Sequence, residues 1–189
     1  LWQGCVCICL VKYPYMAALT ASMIAAHGYA YVRQWLDGLR SNLARRPQGN
    51  DRAQVKAIYH GLCDVALINH YYMAKMLADP KQKSWAESVR VIFPNQSGRG
   101  THMNVSGVAL TKHAPHRSSA IALMEFLASE QGQALYAKEN GEYPVTSGVP
   151  WNALQRSWGK FHQDSLSLAT IADHRARAVR LADEVGYDD

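Results

Sequence analysis

"INHYYMAKML" (68–77) sets two tyrosines side by side directly after a short apolar run. On a strand, successive side chains point to opposite faces. On a helix, adjacent residues do not face one another either. Neighbouring phenols converge on one point only where the backbone passes from strand to helix. The preceding run, "CDVALIN" (63–69), reads as a short strand, and the residues from Tyr71 through Met76 read as a helix. The pair therefore stands at the carboxyl end of a strand, where open α/β sheets bind their ligands.

A second such end lies upstream. "CVCICLV" (5–11) reads as a buried strand and is followed at once by Lys12, Tyr13, Pro14 and Tyr15. Tyrosines thus cluster at two strand ends of what the pattern makes one sheet. "PYMAALTASMIAAHG" (14–28) reads as a helix, with Pro14 in the first turn and Gly28 as its stop. A second helix, 29–45, carries Val32, Trp35, Leu36, Leu39 and Leu43 at helical spacing. Asn50 or Asp51 caps a helix running to His60. Strands are expected at 90–94 and 101–110, with loop chemistry between them at 95–100. Helices are expected from His116 onward and over 168–185, the last with Ile171, Ala178, Leu181 and Val185 on one face.

Strands alternating with helices predict an α/β fold with a parallel sheet. The expected division is an α/β lobe over 1–94 carrying the tyrosines, a hinge or crossover at 95–106, and a mostly helical remainder of another lobe over 107–189. That remainder has too little sheet to bury its apolar faces alone, and it reads as the closing part of a domain.

The 189 residues suffice for one domain or two small lobes. Hydrophobic content of 48% and charged content of 19% are ordinary for a globular protein. No apolar run approaches the roughly 18 residues of a membrane span. The opening "LWQGCVCICL" has no initiator Met and no basic n-region, and reads as the interior of a longer protein. The net charge of +5 is scattered, without a Lys/Arg stripe interleaved with aromatics, so nucleic acid is not an expected partner.

Of the four cysteines, Cys5, Cys7 and Cys9 alternate along one strand. Their spacing does not match the C-x₂₋₄-C pairs of a zinc site. A buried strand with one cysteine paired to Cys63 stands against a thiolate metal site. His60 near Cys63 offers a nucleophile reading, against which a helix-end histidine is ordinarily structural. No HExxH, GxSxG, Walker A or GxGxxG pattern occurs.

A phenol has an ordinary pKa near 10 and is normally protonated. A small trivalent cation displaces that proton, because a bound cation dominates local acid–base chemistry. Oxygen-only ligation suits hard metals, and three phenolates balance the three charges of Fe³⁺. The competing reading makes Tyr71 and Tyr72 core or groove aromatics at a helix start.

"PQGNDRAQVKAIYHGLCDVALINHYYMAKML", "FPNQSGRGTHMNVSGVALTKHAP" and "EFLASEQGQALYAKENGEYPV" resemble the periplasmic ferric-iron-binding proteins of bacterial iron ABC transporters, in the same order along nearly the whole chain. The resemblance implies a two-lobed, type II periplasmic-binding-protein fold, with one lobe largely complete here and the other truncated. It implies Fe³⁺ bound by Tyr15, Tyr71 and Tyr72, with Tyr13 as a lower-ranked competitor for the first role. A synergistic anion such as carbonate or phosphate is implied, held by Asn50 and Asn69; a helix N-terminus suits an anion on physical grounds too. An inner-membrane ABC permease as partner, a monomeric state, a periplasmic location and no enzymatic activity follow from the same likeness. So does a disulfide between Cys7 and Cys63, suited to an oxidising compartment.

Departures from the family pattern are also visible. Cys5 and Cys9 stand where arginines are usual, Leu10 where a small hydroxyl residue is usual, and Met16 where Asn is usual. An arginine after this strand would partner a bound anion. The alternatives are a truncated or degenerate gene product that binds metal weakly, and an α/β enzyme.

Overall fold

The computed structural model describes residues 3–189; Leu1 and Trp2, which belong to the first expected lobe, lie outside the described residues. Its sheet is small. Strand β1 (Val6–Cys7) pairs in parallel with β2 (Val65–Ala66), with Val6 opposite Val65 and Cys7 opposite Ala66. The expected strands at 5–11 and 63–69 are thus regular over two residues each. The rest of the first run remains a core element: Ile8, Cys9 and Val11 are buried. Its other edge is bonded to the chain at 42–48 through Val6 N–H to Asn42 O, Ala44 N–H to Val6 O and Gln48 N–H to Ile8 O.

That edge contact explains a difference from expectation. Helix α1 (Pro14–His27) ends at Gly28, whose φ of 83° favours glycine. Helix α2 (Tyr29–Ser41) stops four residues before the expected Arg45. Asn42 turns its side-chain amide back onto Gly38 O, and Leu43 leaves to bridge Val6. Sheet pairing takes the residues that helical spacing alone assigns to α2.

Helix α3 (Asp51–Tyr59) begins after Asn50, whose side chain accepts from Ala53 N–H at 3.2 Å. Helix α4 (Tyr71–Ala78) starts at the tyrosine pair, and α5 (Lys83–Glu87) is a short helix in the polar stretch after it. The strands expected at 90–94 and 101–110 do not form among the described residues; only Thr101 bridges, to Gln163. A strand exists through its partner, and alternating residues without a neighbouring chain leave extended backbone, not a ladder. Helices α6 (Arg117–Ala128), α7 (Glu130–Asn140), α8 (Ala153–Ser157) and α9 (Leu168–Glu184) follow. Ser129, Asn152 and Ser167 cap the last three through side-chain oxygens.

The main core joins distant parts of the chain. Ile8, Cys9, Met16, Ala21, Ile24, Val32 and Leu36 pack with Ile171, Ala178, Leu181, Val185 and Tyr187. Within the stretch 107–189, α9 therefore buries its apolar face against α1, not within the stretch itself. The end of the chain is pinned there too: Arg40 donates to Val185 O at 2.6 Å, and Val11 N–H donates to Asp188 Oδ1 at 2.9 Å. A smaller cluster of Val55, Met73, Met76 and Ala86 sits under α3, α4 and α5. Cys7 and Cys63 are joined by a disulfide beside β1 and β2, while Cys5 and the buried Cys9 are free thiols. Cys63 thus has no thiol to act as a nucleophile. No helix among the described residues is long and apolar enough to cross a membrane.

Candidate metal centre

Beyond β1 the chain turns through Leu10 to Tyr13, with Tyr13 N–H bonded to Leu10 O, and enters α1 at Pro14. Pro14 loses nothing at this position, since the first helical N–H has no partner within the helix. Tyr15 follows on the first turn. Beyond β2 the run Leu67–Ile68–Asn69–His70 leads into α4, whose first two residues are Tyr71 and Tyr72. Parallel pairing of β1 with β2 brings these two exits to the same edge of the sheet.

Tyr15, Asn69, His70 and Tyr71 line one cavity of about 1270 Å³, whose other walls include Asn104, Glu142 and Tyr143. The adjacent phenol rings stack, but of the pair Tyr71 lines this cavity and Tyr72 does not. The rings of Tyr71 and Tyr72 are stacked with centroids 4.5 Å apart and planes at 29°. Tyr72 packs on the cluster around Val55 and Met76, with the Arg52 guanidinium 5.8 Å from its ring centre. Lys75, one turn along α4, lies 5.4 Å from the Tyr71 ring. Tyr13 stacks on Tyr15 at 5.4 Å, and as the N-cap of α1 it stands before the helix.

Asp51 ties the two exits together. The Tyr15 hydroxyl donates to Asp51 Oδ2 at 2.7 Å. Asn69 donates to Asp51 Oδ1 twice, from its backbone N–H at 2.6 Å and its side-chain amide at 3.1 Å. The Cys9 thiol lies 4.0 Å from Oδ2. Asp51 is fully buried. Asn69 in turn accepts from the Asn104 amide at 3.3 Å, which reaches in from the extended segment after the 95–100 loop. Asn50 is exposed and spends its side-chain oxygen on the α3 cap.

Burial, followed by the hydrogen bond to Asp51, pushes the Tyr15 pKa far above its ordinary value. Burial, followed by the neighbouring Tyr72 hydroxyl, does the same to Tyr71. Both are neutral phenols at pH 7 without a cation. Burial also pushes Tyr143 up to about 12, and its buried hydroxyl has no partner among the described residues. Burial lowers the His70 pKa, and its Nε2 lies 3.2 Å from Gly141 O. No group of three or more His, Cys, Asp or Glu side chains among the described residues could hold a metal. The donors that line this cavity include the Tyr15, Tyr71 and Tyr143 phenols and the Asn69 and Asn104 amides, with His70 and the carboxylates of Asp64 and Glu142 on its walls.

Sequence reading singled out Tyr15, Asn69, Tyr71 and Tyr72 but passed over Asp51 except as a cap. Its partner Tyr15 is 36 residues away, and no spacing rule connects the two. The one available signal was an acidic residue directly after a cap asparagine.

The architecture is a small parallel α/β sheet whose strand ends open on a cavity, packed by helices from both ends of the chain. The chain belongs to the bacterial extracellular solute-binding protein family, which residues 1–160 match. It is similar to iron uptake protein A1 of Synechocystis sp., with 46% identity over 188 residues, 98% of this chain and 52% of that protein. Its fold is similar to the open conformation of Mannheimia haemolytica ferric iron-binding protein A, with a TM-score of 0.93 and 46% identity, over 100% of this chain and 59% of that one. It is similar as well to the Trichodesmium protein (IdiA, FutA) in complex with iron and citrate, with a TM-score of 0.92 and 38% identity, over 98% of this chain and 60% of that one. The fold is therefore of the type II periplasmic-binding-protein kind. The chain spans about half the length of the curated relatives it matches.

Proposed function

We propose that this chain is the tyrosine-bearing part of a periplasmic ferric-ion carrier that delivers Fe³⁺ to an inner-membrane ABC permease. The supporting observation is the cavity at the ends of β1 and β2, where Tyr15 and Tyr71 stand on one wall system with Asn69 between their loops. Tyr15, Tyr71 and Tyr72 bind the ion as phenolates. Three phenolates neutralise a trivalent ion, and their hardness excludes the soft metals that thiolates would select. A synergistic anion, carbonate or phosphate, fills the remaining positions near Asn50 and Asn69 at the N-terminus of α3, and to bind there it displaces Asp51 from the backbone and side-chain donors of Asn69. The ion is cargo, and the chain carries out no turnover.

The lobe with the tyrosines consists of 1–94 completed by α9, and 95–106 is the crossover to the other lobe. Arg99 supports that assignment: it donates to Ser22 O in α1 at 3.1 Å and pairs with Asp164 at 3.3 Å, tying the start of the crossover to the lobe that α1 and α9 share.

One observation favours a weaker-binding second reading. Cys9, buried beside Asp51 and Gln54, brings a neutral thiol where an arginine is usual in the family; burial raises its pKa to about 11. The test is optical. Ferric tyrosinate absorbs visible light by charge transfer, so Fe³⁺ supplied as its citrate chelate gives a visible band with this protein. A triple variant with Tyr15, Tyr71 and Tyr72 changed to Phe gives none. A colourless wild-type protein would contradict the proposal.

A further inference from the structure

We infer that His102 is an acid-sensitive latch on the segment 99–104: protonating its ring breaks the Arg99–Asp164 clamp and frees this segment from α1 and α9. The clamp is one part of a junction between the 95–101 loop and the returning segment 162–164. Thr101 N–H donates to His162 O and Asp164 N–H donates to Thr101 O, both at 2.9 Å. Gln96 brackets His162, accepting from its N–H at 2.7 Å and donating to its carbonyl at 3.2 Å. Gly100 runs so close to Gln163 that a Cβ there would stand 2.6 Å from the Gln163 carbonyl carbon. Arg99 anchors the junction to α1 through Ser22 O and Ser22 Oγ, at 3.1 and 3.2 Å, and to Asp164 Oδ2 at 3.3 Å. Asp164 leads into α9, and its Oδ1 accepts from Leu166 N–H at 3.1 Å.

His102 follows Thr101 directly, and no bond of the junction uses its ring. Both ring nitrogens are buried, and neither meets a protein hydrogen-bond partner among the described residues. The residue lines the large cavity and a second one of about 190 Å³, where Pro14 and Ala18 of α1 meet Leu168, Ile171 and Arg175 of α9. Few charges face it. Arg99 comes from its own segment, Asp164 from the returning segment and Arg175 from α9. From α1 come Pro14 and Ala18, which carry none, and the Tyr15 phenol on the larger cavity, which is neutral below pH 10. Two cations thus stand against one carboxylate. Burial, followed by the Arg99 charge, lowers the His102 pKa from its ordinary value, and Asp164 offsets this only in part.

At neutral pH the ring is an uncharged wedge. A proton makes both nitrogens donors and adds a third cation. The acceptor with capacity to spare is Asp164 Oδ2, which has a charge contact with Arg99 but no hydrogen bond. A ring that takes this oxygen removes it from Arg99, and a ring that does not take it leaves a buried charge unpaired. Both outcomes loosen the clamp. The closed junction prefers neutral His102, so it is complete above the free-histidine value near 6.5 and weakens as pH falls toward the lower folded value. Across that window the open fraction rises about tenfold per pH unit.

The test is amide hydrogen exchange of the metal-free protein at about pH 7.5 and about pH 5, read as protection factors so that the intrinsic chemical rate cancels. Protection of Thr101 N–H and Asp164 N–H is expected to fall about tenfold in acid, while the Leu181 amide in the α9 core keeps its own. H102Q removes the fall. H162Q, at the exposed histidine of the same junction, retains it. No fall in the wild type, a fall that survives in H102Q, or a fall that disappears in H162Q overturns the inference. An equal loss at Leu181 overturns it too, because the whole fold would then be opening. If H102Q does not fold, the wild type decides by NMR of its histidine rings. His102 is expected to titrate below 6.5, with the loss of Thr101 protection levelling off at that value. An ordinary titration, or a loss that levels off elsewhere, contradicts the latch. Every readout is taken without iron, so the result is independent of the tyrosine site.

Discussion

The hydroxyl of Tyr15 donates to Oδ2 of Asp51 at 2.7 Å, and the same carboxylate holds the backbone and side chain of Asn69. A phenol must surrender this bond's proton before it can become a phenolate ligand. In the proposed site, metal binding and proton release are therefore coupled at this point.

The coupling sets a pH dependence. Tyr15 and Tyr71 are both pushed above the ordinary phenol value, so both are protonated in the metal-free protein throughout the neutral range. Each phenol that binds as phenolate releases one proton. Apparent Fe³⁺ affinity therefore falls as pH falls, by about tenfold per unit for each phenol displaced. Potentiometric titration during iron loading at pH 7 is expected to show more than one proton released per ion bound. Release of none contradicts phenolate binding.

The same shifts act on the metal-free fold with the opposite emphasis. Tyr15, Tyr71, Tyr143 and Tyr187 have raised folded-state pKa values, with burial as the leading cause for each. Unfolded phenols ionise near pH 10. The stabilisation that comes from keeping these groups neutral is complete below about pH 10 and is lost as pH rises through the folded values. Urea midpoints of the metal-free protein are expected to stay level with respect to these groups from pH 7 to 9 and to drop above pH 10.

Reduction tests the Cys7–Cys63 link. The bridge closes a separation of 56 residues next to the β1–β2 pair. Removing such a crosslink typically costs about 2–4 kcal/mol. Urea unfolding with and without a reductant is expected to differ by that amount. Equal midpoints would mean that the disulfide adds nothing to stability.

Leu181 tests the packing of α9 on α1. It is fully buried in the core with Ile8, Ile24 and Leu36. Leu181→Ala is expected to cost about 2–5 kcal/mol by cavity formation. Leu123→Ala, at an exposed position on α6, serves as a control and changes stability by less than about 0.5 kcal/mol. If the two variants unfold alike, α9 does not complete this core.

The helices were readable because their signals are local. Pro14 and Gly28 mark the two ends of α1, Asn50 caps α3, and the Ile171–Ala178–Leu181–Val185 face of α9 is buried as its spacing predicts. The strands were over-read for the opposite reason. Alternation in 101–110 records a preference, but a ladder needs a second chain alongside, and only Thr101 finds one. The early end of α2 also depends on a distant partner, because Leu43 is taken by Val6. In the site, the tyrosines were visible as side chains at strand ends. Asp51 was not, since its meaning lies in contacts to residues 36 positions before it and 18 after it.

In the proposed site, Tyr15, Tyr71 and Tyr72 together bind Fe³⁺. The most direct measurement is the visible absorption of the protein titrated with ferric citrate, in the wild type and in Y15F, Y71F and Y72F singly. A band is expected that saturates at one ion per chain in the wild type and loses intensity in each single variant. No band in the wild type, or a band that survives all three replacements unchanged, contradicts it.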